Sequence, residues 1–221
     1  MDVTAAATQP GSSFPAFFDQ APRVTVRDPL ARLLGACADG VVTYCYADAV
    51  RLAGHSCPTV AGAFLSGRAA LAALYPDEIP HRGGVAVRMP EPEDSGTTGV
   101  VAQVLTLLTG AAGSSGFKGL AGQHARNGLL RYAPAKGPEN GVVRFERLDT
   151  GSAVAVRFDS SRIPVDAAQR RRMQAVARGE ADTATLAAFA AAWQERVRRL
   201  LLEHADDPET VQVTTAAPGC G

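Results

Sequence analysis

Gly54-His55-Ser56-Cys57-Pro58-Thr59-Val60-Ala61-Gly62-Ala63-Phe64 opens the segment that decides the reading of this chain, and the same segment runs on to Tyr75. Pro58 marks a helix start, because a missing N–H costs nothing in the first turn and the fixed φ of proline suits a helix. Val60, Phe64, Gly67, Leu71 and Leu74/Tyr75 recur at intervals of three or four, which puts them on one buried face. Ala61, Gly62 and Ala63 are small enough to let a neighbour pack closely at the helix start. Gly54 breaks a preceding helical turn over residues 47–53, so His55-Ser56-Cys57 is a turn leading into the long helix.

Elements follow on both sides of this helix. Residues 1–22 are rich in Ala, Ser, Gly and Pro and read as a flexible arm, with Phe14, Phe17 and Phe18 able to dock on the body or on a second copy of the chain. Asp28 starts a helix with Pro29 at its first position, and residues 41–46 read as a strand. Downstream come a strand at 82–89, a buried helix at 97–109 and a glycine-rich loop at 110–122. Strands follow at 129–132, 142–148 and 153–158, the last two forming a hairpin across Asp149-Thr150-Gly151-Ser152. Helices close the chain at about 165–178 and 183–203. Leu186, Phe189, Trp193, Val197 and Leu200 form an apolar stripe on the second, read as a core or dimer face. The expected organisation is an arm (1–22), an α+β domain with a mixed sheet and helices on one side (23–162), C-terminal helices (163–205) and a loose tail (206–221).

Composition narrows the function. The 221 residues are 46% hydrophobic and 20% charged, which is ordinary for one globular domain. Twenty-two basic residues balance 22 acidic ones, which argues against a nucleic-acid partner, since phosphate neutralisation needs a basic excess. An aromatic content of 6% offers no platform for stacking bases. The first residues lack a basic start and an apolar stretch, and the most apolar window, 100–112, is interrupted by Gln103, Thr106 and Thr109. A cytoplasmic protein without a membrane partner is expected. Cys37, Cys45, Cys57 and Cys220 form no paired CxxC knuckles and are expected to be thiols.

The chemistry concentrates in the turn. Cys57 falls at the N-cap of the long helix, where unsatisfied N–H groups and the helix dipole favour negative charge on sulfur. A thiolate is a soft ligand and a nucleophile, and neutral imidazole suits the same borderline metals. His55 and Cys57, two positions apart, can converge on one ion if the backbone curls, and Gly54 supplies that freedom. Cys45 can face the same site from the preceding strand, and His124 follows a glycine-rich loop of the kind that lines sites. Lys118 and the amides of the 110–119 loop can hold an anion. The chain contains no GxSxG elbow, no HExxH helix and no phosphate loop.

These residues resemble a known family. Gly54-His55-Ser56-Cys57-Pro58, followed by a small-residue helix ending near Gly67-Arg68, resembles the GHxCPG…G-R signature of the formylmethanofuran dehydrogenase E-like family. Residues 103–118, with Leu108-Thr109-Gly110, resemble that family's second motif, TGCT and then GKG. Arg147-Leu148-Asp149-Thr150-Gly151 resembles its later D-x-G strand. The likeness spans about residues 25–160 and points to a stand-alone bacterial branch. It implies an α+β domain with a mixed sheet, a transition metal, zinc above all, near the His-x-Cys turn, and a homodimer. His55 and Cys57 match the motif directly. Ala111 stands where the family has a third cysteine, and Gln103 where it has an aspartate. His124, Cys45, a water or a second protomer would then complete the shell. The dehydrogenase chemistry for which the family is named belongs to other polypeptides of that complex.

Three functions are therefore expected to compete. The first is a metal-binding accessory protein with a zinc-like ion on His55 and Cys57. The second is a metal- or thiol-dependent enzyme acting on a small molecule. The third is a dimerising structural module without a metal.

Overall fold

Residues 14–134 and 141–217 are described in the computed structural model of this chain. At its centre is helix α3 (Pro58–Leu74), with Cys57 as its N-cap. Residues 60–67 are all buried, which is two full turns without a wet side. The three-and-four spacing marks one buried face; the structure covers the opposite face as well. Gly62 and Gly67 make that possible. A Cβ at Gly62 would overlap the Phe158 ring, and one at Gly67 would lie 2.7 Å from Leu108 Cδ1. Both glycines thus let neighbouring elements approach the helix backbone.

The neighbours are a sheet and three helices. Strands β3 (Val85–Met89), β4 (Leu130–Tyr132), β5 (Val142–Arg147), β6 (Ala153–Phe158) and β7 (Val211–Ala216) form one sheet in the order β4-β3-β5-β6-β7. The β3–β4 pair is parallel and the others antiparallel, so the sheet is mixed and the fold is α+β. A parallel pair needs a long crossover. Helix α4 (Thr98–Thr109) and the glycine-rich loop after it supply one. Phe145 lies opposite Val87 on one side and Val154 on the other, and Val143 lies opposite Val156. These side chains are buried, on the sheet face that α3 covers. A second, two-stranded sheet pairs β1 (Val24–Arg27) with β2 (Val41–Tyr44), flanking the short helix α1 (Pro29–Leu33). Helix α2 (Tyr46–Ala53) leads from β2 to the turn before α3.

The chain ends differ from the sequence expectation. The stretch expected as a loose tail contains β7, which pairs with β6 from Ala153↔Ala216 to Phe158↔Val211. Without it, the backbone groups along that side of β6 would lack ladder partners. The alternation Val211-Gln212-Val213-Thr214-Thr215 suits a strand. Residues 218–221, with Cys220, lie outside the described residues. Within the expected flexible arm, residues 16–20 form a 3-10 helix that buries Phe18 edge-on against Tyr46, ring centroids 4.9 Å apart. Burial of the Phe18 ring offsets part of the entropy lost in ordering this short segment. Residues 1–13 lie outside the described residues.

Helices α5 (Ala167–Ala177) and α6 (Thr183–Leu202) pack on each other, and Gln169 Nε2 donates to the Phe189 carbonyl at 3.1 Å. Only the inner end of the α6 stripe is core. Val197 and Leu200 are buried, whereas Leu186 is 47% exposed. Among the described residues, the outer end of the stripe is left partly open to solvent, with α5 packed on the helix.

A buried carboxylate ties the small sheet to the rest. Asp28 caps α1 by accepting from the Leu30 and Ala31 N–H groups, both at 3.0 Å. Its oxygens also accept from Arg126 Nη2 at 2.8 Å and Arg82 Nη1 at 2.9 Å. Arg82 in turn donates from Nε to the Leu107 carbonyl at the end of α4. Gly83 (φ +88°) leaves the room that the Arg126 guanidinium fills. Burial works to raise the Asp28 pKa, but the Ala31 N–H, Arg82 and Arg126 outweigh it and hold the carboxyl below its ordinary value of 3.8. A depressed folded-state value gives stability that is present above the unfolded value and lost as pH falls through the folded one. Acid unfolding of the intact chain should therefore begin to steepen below about pH 4. Asp28→Asn should cost about 3 kcal/mol at pH 7, since two guanidinium groups lose their counter-charge, and should flatten the stability curve below pH 4. Urea melts at a series of pH values measure both, and an Asp28→Asn curve parallel to wild type would refute the assignment.

Candidate functional site

The turn before α3 is held through Ser56. Its Oγ donates to Gln194 Oε1 at 2.9 Å and accepts from the Tyr46 hydroxyl at 3.0 Å. Its carbonyl accepts from Trp193 Nε1 at 3.1 Å and Gln194 Nε2 at 3.2 Å. One residue is thus gripped by α2 and α6 together. Tyr46 is buried, and burial pushes its phenol well above the ordinary range, so it stays a neutral donor. Gly54 closes α2 with φ +75°, the left-handed cap that lets the chain turn toward Ser56.

Cys57 follows with extended backbone and is 8% exposed. Its Sγ accepts from the Val60 N–H at 3.4 Å, so the sulfur faces the N-terminus of a long helix. The residue belongs to the wall of a cavity of about 570 Å³. One face of α3 forms its floor, from Cys57 and Thr59 through Gly62 to Ser66. Met89 at the end of β3, Pro90 and Glu91 after it, and Thr97 and Thr98 at the start of α4 form one side. Val143, Val156 and Phe158 come from the sheet, and Trp193 and Arg196 from α6. The volume and the mixed apolar and polar lining are those of a small-molecule site.

The other candidates are not brought to this cavity. His55 is exposed and does not line it; its Nδ1 donates to the Ala53 carbonyl at 3.0 Å. Because a carbonyl only accepts, the proton sits on Nδ1 and a neutral ring keeps its lone pair on Nε2. Cys45 caps α2 and donates from Sγ to Asp48 Oδ2 at 3.3 Å. His124 sits on the long loop with φ +59° and lines neither this cavity nor the second one. Lys118 is exposed on the same loop. Gln103 lines the second, more open hollow of about 830 Å³, between α4 and the glycine-rich loop, together with Arg82, Ser114 and Arg131. Ala111, where the resemblance implies a third cysteine, is fully buried.

Among the described residues no three His, Cys, Asp or Glu side chains are grouped to hold a metal ion. A closed tetrahedral zinc shell needs four donors. His55 and Cys57 would supply two of them. Among the described residues no helix is long and apolar enough to cross a membrane.

Sequence reasoning placed Cys57 at the start of a long helix, where the structure has it. It missed Ser56, Tyr46, Gln194 and Arg196. The only signal for Ser56 was its place between two nominated residues, and its partners lie 10 and 138 positions away. Ser56→Ala should cost about 1–3 kcal/mol, because the Tyr46 hydroxyl and the Gln194 carboxamide lose a shared partner in a half-buried site. Urea denaturation followed by Trp193 fluorescence measures this, and a change within 0.5 kcal/mol, roughly that of a surface substitution, would show the clamp to be idle. No family model matches the chain, and no curated protein matches it.

Proposed function

We propose that this chain binds a small molecule in the cavity at the start of α3 and presents the Cys57 sulfur to it as the reactive or ligating atom. The observation that carries this reading is the position of Cys57, at a helix N-cap and in the wall of a 570 Å³ cavity at once. A buried structural cysteine needs neither. A thiolate there would have a backbone N–H and a helix dipole to stabilise it, and a cavity to admit an electrophile or a soft ligand atom. The resemblance of Gly54-His55-Ser56-Cys57-Pro58 to the formylmethanofuran dehydrogenase E-like signature supports a chemical role for the same sulfur.

Disulfide exchange tests the reading. In a panel of small disulfides, the Cys57 sulfur attacks one sulfur of the reagent and expels the other half as a thiol. Peptide mapping should find the mixed disulfide at Cys57 of the folded protein for reagents small enough to enter. Thr98→Trp, which fills the cavity from the α4 side, should suppress it while leaving Cys37 and Cys45 labelling unchanged. Absence of any adduct at Cys57 in the folded protein would overturn the proposal.

A second reading is favoured by the His55 hydrogen bond. An imidazole whose Nδ1 donates to a carbonyl is oriented with Nε2 ready for a metal, the usual support for a metal-ligating histidine. In this reading a zinc-like ion sits on His55 and Cys57, with its remaining positions open, and the protein serves as a metal-binding accessory, as a homodimer. Elemental analysis of purified protein should then show about one equivalent of metal, lost in both His55→Ala and Cys57→Ala. Equal metal content in wild type and both variants would remove this reading without touching the first.

A further inference from the structure

Arg196 is a sheltered arginine held by neutral acceptors. Arg82 and Arg126 share Asp28, and Arg147 pairs with Asp149 and Glu78. Arg196 is half-buried on α6, with its Nε donating to the Ile163 carbonyl at 2.7 Å. Its Nη2 donates to Ser160 Oγ at 2.9 Å and to the Ser160 carbonyl at 3.3 Å. All three acceptors are neutral. Among the described residues no carboxylate lies within ion-pair distance of it, and burial alone pushes its guanidinium down. A sheltered charge without a counter-charge is costly. Three acceptors hold the guanidinium nonetheless, and the residue belongs both to the wall of the Cys57 cavity and to a smaller hollow beside Ile163 and Pro164. Glu91, the one carboxylate among the described lining residues, accepts from the Ser95 hydroxyl.

We propose that the ligand of this cavity is a small molecule carrying a carboxylate or a similar oxyanion, and that Arg196 is its counter-ion. The inference rests on the cavity reading above and adds the charge of what enters. A guanidinium held by Nε and Nη2 keeps Nη1 for an incoming oxygen, and a charge-assisted hydrogen bond in a partly dry cavity is stronger than one in water. The ligand would then be anchored by charge at the α6 side and offered to sulfur at the α3 start.

Iodoacetate and iodoacetamide test this, since they are nearly equal in size and differ in charge. Each forms a carbon–sulfur bond at Cys57 and breaks its carbon–iodine bond, releasing iodide, while the thiol proton goes to solvent. Rates at the Cys57 peptide would be read by mass spectrometry at one pH for wild type, Arg196→Gln and Arg196→Lys, with Cys37 as internal reference. The iodoacetate-to-iodoacetamide ratio at Cys57 should fall about five- to tenfold in Arg196→Gln and recover in Arg196→Lys, which keeps the charge. In wild type, raising the salt from low concentration to about 0.5 M should lower the iodoacetate rate alone, an arm that needs no variant. Rapid labelling by both reagents, with a ratio unchanged by Arg196→Gln and by salt, would overturn the counter-ion role and leave the cavity reading standing. Failure of both reagents to reach Cys57 in the folded protein would overturn the cavity reading, and this inference with it.

Discussion

A seventeen-residue helix with two consecutive turns buried all round has to be enclosed, and the rest of this fold is the enclosure. Phe64, Leu65 and Leu71 each contribute about 1.5–3 kcal/mol on burial, which is available only if several elements cover α3 at once. The sheet covers one side, and α4, α2 and α6 cover the others. Gly62 and Gly67 set how close β6 and α4 come, because any side chain there would collide with Phe158 or Leu108. Arg68, the helix's one charged residue, reaches out to Asp206 at 2.7 Å.

The enclosure opens at the exposed Ala72 and Ala73 and beside the N-terminal end of α3, where Cys57 lines a cavity. A helix start leaves unsatisfied N–H groups, and a cavity beside it gives those groups and Cys57 an outlet that the packed middle of the helix lacks. Ser56 carries the coupling. Its side chain and carbonyl draw Tyr46, Trp193 and Gln194 onto the turn, so the position of the sulfur depends on α2 and α6 as much as on α3. The C-terminal helix therefore supplies part of the site rather than an appendage: it brings the Ser56 donors, the Trp193 ring and the Arg196 charge to the cavity.

The Asp28 cluster plays the corresponding part for the small sheet. One carboxylate joins the cap of α1, the residues before β3 and the glycine-rich loop through two arginines. Such a cluster contributes little net energy once desolvation is counted, but removing its centre leaves two sheltered cations, so it fixes which arrangement is allowed. Sequence reasoning read Asp28 as a cap alone, because its arginine partners lie 54 and 98 positions away.

Local chemistry was enough to locate most elements. Pro29 and Pro58 open helices, Gly54 and Gly110 close them in the left-handed conformation, and the Asp149–Ser152 turn joins β5 to β6. Those features act within a few residues, so the chain by itself determined the helices, the hairpin, the α+β class and the placing of Cys57 at a helix start. Tertiary structure alone decided that residues 211–216 become a sheet strand, that Phe18 docks on Tyr46, and that only the inner end of the α6 stripe is core. It also separated His55 from the cavity that Cys57 lines and brought Arg196 there instead. A cap or a turn is stabilised by its neighbours in sequence. A cavity wall and a counter-ion are set by which distant surfaces bury one another.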